Sequence, residues 1–197
     1  RGCDPKKILI SGAEAIDAAS RMRGHGVAGE PRIRWSELMA FKRSFTDPIP
    51  HNQEQHYAEK GIETFHGLAR FTSPDAVAIE GQELKSSHIL IATGARSLPL
   101  GIPGQEHAIT SDQFLELDEL PARIAMVGGG YIAAEFSQLA ARAGAEGAVS
   151  QRAERMLPSS DADRVAWLMI KFGALGHDVG PPAPVRGLDN ATKRPPG

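Results

Sequence analysis

The sequence predicts an α/β fold, and three stretches of the chain support that prediction. Residues 123–127 are a short, mostly apolar run that leads directly into three glycines and then into apolar residues at helical spacing. Residues 61–88 change to short runs with a period near two, which is typical of a small β-meander. Residues 89–92 form a continuous apolar run, which predicts a buried parallel strand.

The first half of the chain is predicted to be helical before the meander begins. Apolar residues recur on one face of residues 3–23, and Gly24 and Gly26 follow that stretch. Residues 35–46 predict a second helix, which the prolines at 48 and 50 interrupt before a polar helix at 53–60. Four short strands are then expected, at residues 62–65, 68–71, 76–79 and 84–88.

The second half begins with a connector rich in proline and glycine, and we place a domain junction at residues 98–121. Ser111 or Asp112 is expected to cap a short helix that ends at Leu117. After the glycines, residues 148–150 predict a strand that Gly147 weakens, and residues 165–172 predict a helix. Residues 181–197 contain too little apolar surface to pack, so we expect a proline-rich tail. Because no further strands follow the predicted strand-helix-strand unit, we expect that unit to be truncated.

The glycine turn has the pattern GxGxxA, formed by Gly128, Gly129, Gly130 and, three residues later, Ala133. The first glycine suits a tight turn, Gly130 lets backbone amides approach a pyrophosphate, and a small Ala133 lets the helix pack closely on its strand. The N-terminus of a helix also favours an anion. We therefore predict a dinucleotide site, with an ordinary strand-to-helix junction as the alternative.

Composition excludes several classes of function. The 197 residues are 41% hydrophobic and carry a net charge of -2 with a pI near 6.4, so we expect a packed core and neither a nucleic-acid nor a membrane partner. The expectation is a soluble, cytoplasmic protein. Cys3 is the single cysteine, which excludes an internal disulfide and a thiolate metal cage, and the histidines have no ligand spacing.

Four motifs occur in the order that one family shows. Residues 1–7, Arg-Gly-Cys-Asp-Pro-Lys-Lys, look like the second half of a redox-active Cys-x4-Cys segment, and residues 89–95 look like an Ala-Thr-Gly flavin contact. Residues 109–112 with Leu120 and Pro121 look like an interdomain connector, and residues 128–135 look like a nicotinamide-nucleotide turn. The chain therefore resembles the flavoprotein pyridine nucleotide-disulfide oxidoreductases, such as glutathione reductase, mercuric reductase and dihydrolipoamide dehydrogenase.

The resemblance implies FAD and NAD(P)H as cofactors, and hydride transfer from NAD(P)H to FAD and then to a redox disulfide. It implies that Lys6 lies by flavin N5 and pairs with Glu135, that Tyr131 covers the flavin face, and that Cys3 is a redox sulfur. Thr93, Gly94 and Ala95 are the implied flavin contacts.

The choice of nicotinamide cofactor depends on the end of the second strand, where an acidic residue holds the ribose of NADH. Gln151 stands there without a carboxylate, and Arg152 can pair with a 2′-phosphate, so we favour NADPH. A solvated Arg152 is the alternative.

The resemblance also implies that the chain is a fragment. It implies a partial FAD-binding Rossmann-like domain with a β-meander at residues 1–110, a partial NAD(P)-binding Rossmann domain at 111–180 and the tail at 181–197. The flavin GxGxxG segment, the first redox cysteine and the dimer domain of the homodimeric family are missing from these residues. The alternatives are a different flavoprotein with a structural Cys3, a non-catalytic nucleotide-binding module, and an inactive, partly ordered fragment. The expected acceptor is a disulfide or another small molecule.

Overall fold

The structure is a computed structural model that describes residues 2–189, and these residues form two compact units. The larger unit combines the residues up to Thr46 with those from Ser97 onward, and the smaller unit is Asp47–Arg96. Both helices and sheets are present, which confirms the predicted α/β class. The predicted division into residues 1–110 and 111–180 concerns cofactor binding and stays a prediction.

Six α-helices and six strands are found in the described residues. In chain order they are α1 (Cys3–Arg21), α2 (Trp35–Thr46), α3 (Ile49–Glu59), β1 (Arg70–Ser73), β2 (Ala76–Ile79), β3 (Gln82–Lys85), α4 (Ser111–Phe114), β4 (Arg123–Val127), α5 (Tyr131–Arg142), β5 (Glu146–Ser150), α6 (Ala162–Ala174) and β6 (Asp178–Val179), with a 3-10 turn at Gln105–His107.

The smaller unit contains α3 and an antiparallel meander in the order β1-β2-β3. Helix α3 begins at Ile49 rather than at residue 53, because a proline in the first helical turn removes an N–H group that has no partner there in any case. Glu80 and Gly81 both have positive φ, and they close a two-residue hairpin that pairs Ile79 with Gln82. That turn starts β3 at residue 82 instead of the predicted 84.

Two predicted strands of the smaller unit are wrong. Residues 62–65 and 89–92 have no regular structure, and Leu90 and Ile91 are 91% and 67% exposed. An apolar run becomes a strand only when a neighbouring strand pairs with its N–H and C=O groups. No strand among residues 2–189 pairs with either segment.

The larger unit contains a parallel sheet in the order β4-β5-β6, and the helices α5 and α6 contact this sheet. The predicted bounds of β4 are confirmed. Strand β5 starts at Glu146, earlier than predicted, because Gly147 pairs with Ile124 in the ladder. Helix α6 starts after Asp161, whose carboxylate accepts the amides of Asp163 and Arg164 as an N-cap.

The main core of the larger unit lies between α1, α2, α4 and α5. The Phe114 ring stacks on Phe136 at 4.5 Å between centroids and meets Trp35 edge-on at 5.8 Å. Lys42 on α2 is fully buried, and its Nζ donates to the Leu115 carbonyl at 2.9 Å. These contacts hold α2 against the chain that follows α4.

The connector before β4 differs from its prediction in detail. The cap of α4 is Thr110, in a capping box with Gln113, and the helix ends at Phe114 rather than at Leu117. Of the predicted proline-rich tail, residues 181–189 have no regular structure, but the Ala183 amide donates to the Gln151 carbonyl at 2.8 Å. Residues 190–197 lie outside the described residues.

Two kinds of feature are absent from the described residues. None of their helices has both the length and the apolar content needed to cross a bilayer. Across residues 2–189, no three His, Cys, Asp or Glu side chains are grouped to hold a metal ion.

His177 is buried between α6 and the sheet. Its ring lies 5.0 Å from the Phe172 ring, and it fills the space that a side chain at Gly147 would need. Burial lowers the pKa of His177; the backbone at Gly147 and Ser137 opposes this shift, and the positive charge of Arg142 adds a smaller lowering effect. Because the folded protein favours the neutral ring, this residue stabilises the fold above its unfolded pKa of about 6.5, and that stabilisation is lost as the pH falls through the folded pKa.

We therefore expect the free energy of unfolding to fall below about pH 6.5 in the parent chain and to fall less in the variant His177→Gln. Urea unfolding followed by tryptophan fluorescence measures this, since Trp35 and Trp167 both lie in the larger unit. The variant His25→Gln, at an exposed position, is the control and keeps the parent pH dependence. Equal pH profiles for the parent and His177→Gln would contradict the assignment.

Candidate functional site

The glycine turn joins β4 to α5, and there is open space beside Gly128 and Gly130. Gly128 has a φ of +114°, which favours glycine, and its amide donates to the Ser150 carbonyl at 2.8 Å. Gly130 is the N-cap of α5, with extended backbone. A Cβ added at Gly128 or Gly130 would meet no atom of the described residues within 4 Å, apart from those of its chain neighbours. The first N–H groups of α5 have no partner in the helix, so the turn has room for an anion.

The middle glycine has a different role, since it lies against the side chain of Gln151. Gln151 is 6% exposed, and its Oε1 would collide with a Cβ at Gly129. The Gly129 carbonyl accepts the Leu157 amide at 2.7 Å. The buried side chain of Gln151 therefore packs against the glycine turn at Gly129. Sequence reasoning missed this role because a glutamine after a strand is more often exposed.

Ala133 packs the start of α5 onto the sheet. It is 8% exposed and belongs to a core cluster with Val149, Met156 and Phe172. A larger residue would move the helix away from the strand. The amino end of α5 is therefore fixed close to the ends of β4 and β5.

Lys6 and Glu135 meet although 129 residues separate them in the chain. The Lys6 Nζ lies 2.7 Å from Glu135 Oε2 and 2.9 Å from Oε1, and the two side chains are 23% and 35% exposed. The hydrogen bond to Glu135 raises the pKa of Lys6 above its usual 10.5. The structure thus holds one charged ammonium between α1 and α5.

Tyr131 and Cys3 lie near the same ammonium. Tyr131 is the first residue of α5, is 65% exposed, and lines a groove of about 460 Å³ together with Lys6 and Glu135. Cys3 is exposed at the start of α1, one turn before Lys6. Both residues add small electrostatic contributions to the raised pKa of Lys6. The structure therefore brings together all four predicted catalytic residues.

The other predicted site residues are more scattered. Thr93, Gly94 and Ala95 belong to the smaller unit, where all three are exposed and Gly94 has a φ of +74°. Their predicted flavin contact stays a prediction. Arg152 is exposed and directly follows the buried Gln151 at the end of β5.

A second polar group links the far ends of α1 and α5, and sequence reasoning missed it. Arg142 donates from Nε to Asp17 Oδ1 at 2.7 Å and from Nη2 to Asp17 Oδ2 at 2.8 Å. Lys171 on α6 adds a contact of 3.3 Å to Asp17. The hydrogen bond from Arg142 is the main cause that lowers the pKa of Asp17. Only the folded structure brings together residues so far apart in the chain.

Comparison with known proteins places the chain among the pyridine nucleotide-disulphide oxidoreductases. A family model described as "Pyridine nucleotide-disulphide oxidoreductase" matches residues 1–189. The chain is 31% identical to dihydrolipoyl dehydrogenase 3 of Haloarcula marismortui over 90% of its own length and 39% of that protein. It is 34% identical to the chloroplastic/mitochondrial glutathione reductase of Pisum sativum over 70% of this chain and 25% of that protein.

A solved structure shows the same fold. The HOCl-induced flavoprotein disulfide reductase RclA of Escherichia coli superposes with a TM-score of 0.79 at 23% identity, covering 94% of this chain and 40% of that one. The chain thus spans at most about two fifths of the length of these proteins.

Exchanging Gly129 for alanine tests the role of Gln151. We expect Gly129→Ala to cost about 1–3 kcal/mol of unfolding free energy, because the new Cβ collides with a buried side chain. Gln151→Ala removes the Oε1 and Cδ atoms near the new Cβ but leaves the Gln151 Cβ at 3.1 Å, so the double variant should recover part of that loss in urea unfolding.

Gly128→Ala is the matched control. Its cost comes from the positive φ and not from a neighbour, so Gln151→Ala should not restore its stability. Restoration of both variants, or of neither, would contradict the separate roles of the two glycines.

Proposed function

Because the chain belongs to the pyridine nucleotide-disulphide oxidoreductase family, we propose that it is part of a flavin-dependent enzyme that takes hydride from NAD(P)H and passes the electrons to a redox disulfide. The observation that carries this proposal is the ion pair of Lys6 and Glu135. One partner lies one turn after Cys3, and the other lies one turn after the start of α5.

The nicotinamide nucleotide is proposed to bind at residues 128–133. The open space at Gly128 and Gly130 supports this, because a pyrophosphate needs close contact with backbone amides. The amino end of α5 contributes a positive dipole and unpaired N–H groups. The residues present therefore fit a dinucleotide.

A flavin, when bound, supplies the two-electron acceptor for hydride. The proposed role of Lys6 is to hold a fixed positive charge where negative charge develops on reduction. Glu135 keeps that ammonium protonated and oriented, as the raised pKa of Lys6 supports. Tyr131, exposed at the mouth of the groove, is proposed to exclude water until a nicotinamide displaces its ring. Thr93, Gly94 and Ala95 are the proposed flavin contacts.

Cys3 is proposed to be one sulfur of a redox pair. Reduction of a disulfide consumes two electrons and two protons and gives two thiols, so a second sulfur is required. Cys3 is the single cysteine of these 197 residues, and its partner must come from another segment or another molecule. A disulfide or other small-molecule acceptor, a homodimeric assembly and a cytoplasmic location belong to the same proposal.

A second candidate function is a nucleotide-binding module without catalysis. It is favoured by the exposure of Leu90 and Ile91, because the segment that leads to Thr93 is not part of a sheet among the described residues. Such a module would bind NADPH without retaining a flavin. Colour separates the two candidates, since only the enzyme would purify with FAD and show flavin absorption that NADPH bleaches.

Gly130→Val is the sharpest test of nucleotide binding. Gly130 has a φ of −87°, and a Cβ built there meets no atom within 4 Å, so the variant should fold, with an unfolding midpoint lowered only by the loss of a favourable N-cap residue. Its side chain would occupy the space proposed for the pyrophosphate, and we expect NADPH affinity to fall by at least about tenfold, or 1.4 kcal/mol.

Gly173→Ala on α6 is the control for this test. A Cβ at Gly173 also meets no atom within 4 Å outside the helix's own backbone, and Gly173 lies outside the glycine turn. Calorimetric titration with NADPH measures the affinities. Unchanged affinity in a folded Gly130→Val variant would refute the proposed site.

Arg152→Ala tests the preference for NADPH. If the exposed guanidinium pairs with the 2′-phosphate, the variant loses about tenfold in NADPH affinity and little in NADH affinity. Arg164→Ala, at an exposed position on α6, is the charge control. Equal losses for both nucleotides would exclude Arg152 as the discriminating residue.

A further inference from the structure

We infer that Asp17 is a positioning residue, whose ion pair with Arg142 fixes α1 against α5 and thereby holds the Lys6 ammonium on Glu135. This inference deepens the proposed function, on which it rests, because it concerns the same ammonium. Asp17 acts through its ion pair with Arg142, and its longer contact of 3.3 Å with Lys171 joins α1 to α6 instead.

The two helices are joined by one ion pair near each end. Lys6 and Glu135 join their amino-terminal parts, and Asp17 and Arg142 join their carboxyl-terminal parts, so the helices run in the same direction. Lys6 and Asp17 are three turns apart, about 16 Å along α1. Two contacts at that separation restrict both sliding and rotation of α1, which a single contact would not.

The apolar contact between the helices does not provide this restriction by itself. Leu9 and Ala13 of α1 belong to the same core as Leu139 and Ala140 of α5. Burial of such residues stabilises the pair, but the hydrophobic effect is not directional. The guanidinium of Arg142, in contrast, meets both oxygens of Asp17 in a fixed, bidentate geometry.

Arg142 depends on this partner because its side chain is only 6% exposed. Its Nη1 donates to the Gln138 carbonyl at 3.0 Å and contacts the Gln138 Oε1, so its other donors are held on α5. A buried guanidinium that loses its carboxylate is left with an uncompensated charge. Asp17 is therefore the residue through which α1 is tied to the carboxyl end of α5.

The pKa of Lys6 reports on this arrangement without any cofactor. The largest cause that raises this pKa is the hydrogen bond from Lys6 to Glu135. That hydrogen bond weakens steeply as the two groups separate. If α1 shifts on α5, the pKa of Lys6 falls toward its usual value. NMR titration of the lysine side-chain resonances, assigned with a Lys6→Arg variant, measures it in the 197-residue chain.

We expect the pKa of Lys6 to fall in Asp17→Asn toward the value found in Glu135→Gln. Glu14→Gln is the matched control, because Glu14 is nearer to Lys6 along α1 and, among residues 2–189, pairs with the exposed Lys7 of the same helix. A direct effect of removing one negative charge would be larger in Glu14→Gln than in Asp17→Asn. Positioning predicts the opposite order.

Arg142→Lys keeps every charge and removes the bidentate geometry, which keeps the test decisive if Asp17→Asn does not fold. We expect it to lower the pKa of Lys6 as well. An unchanged pKa of Lys6 in folded Asp17→Asn or Arg142→Lys, with only a lower unfolding midpoint, would overturn the inference and leave Asp17 a purely stabilising residue.

The two proposals fail in different ways. If NADPH does not bind or does not reduce a flavin, the proposed function fails, and the pKa of Lys6 still reports on Asp17. If the pKa of Lys6 is insensitive to Asp17, the positioning role fails, and NADPH binding is unaffected by that result.

Discussion

Helix α5 is packed on two sides at once, and this double packing determines where the candidate site lies. Ala133 and Ala134 belong to the cluster that packs α5 on the sheet, while Leu139 and Ala140 belong to the core shared with α1 and α2. Packing from both sides restricts rotation of α5 about its own axis, because rotation would open a cavity. The residues of α5 that pair with α1 therefore face that helix, and the glycine turn at the start of α5 stays at the ends of β4 and β5.

Charged groups specify the arrangement that the apolar core stabilises. Lys6, Lys42 and Arg142 are each largely withdrawn from water, and each meets an acceptor from a distant part of the chain. Such groups add little net stability, because the cost of removing them from water offsets their attraction. A packing of the helices that separated such a charge from its partner would be strongly destabilised, so these groups disfavour alternative packings. In this chain, the Lys6–Glu135 pair belongs to the candidate site, whereas the Lys42–Glu116 pair holds α2 against the chain that follows α4.

Local signals in the sequence predicted local structure well. The strand, the glycine turn and the helix that follow one another at residues 123–142 were predictable, because each depends on neighbours in the chain. The strand predicted at residues 89–92 is wrong, because a strand also needs a pairing partner and the spacing of apolar residues does not reveal one. The approach of Lys6 to Glu135 was implied by family resemblance, whereas Gln151 and the Asp17–Arg142 pair depend on tertiary contacts that no local pattern encodes.

The three consecutive glycines differ in what requires glycine at each position. Gly128 supplies a backbone angle, Gly129 gives room to a buried neighbour, and Gly130 has no strained angle and has space for a Cβ. Only the first two are therefore constrained by the stability of the chain. In a randomised library screened for soluble expression alone, position 130 would drift to other amino acids while 128 and 129 stayed glycine. Enrichment of glycine at 130 would appear only under selection for ligand.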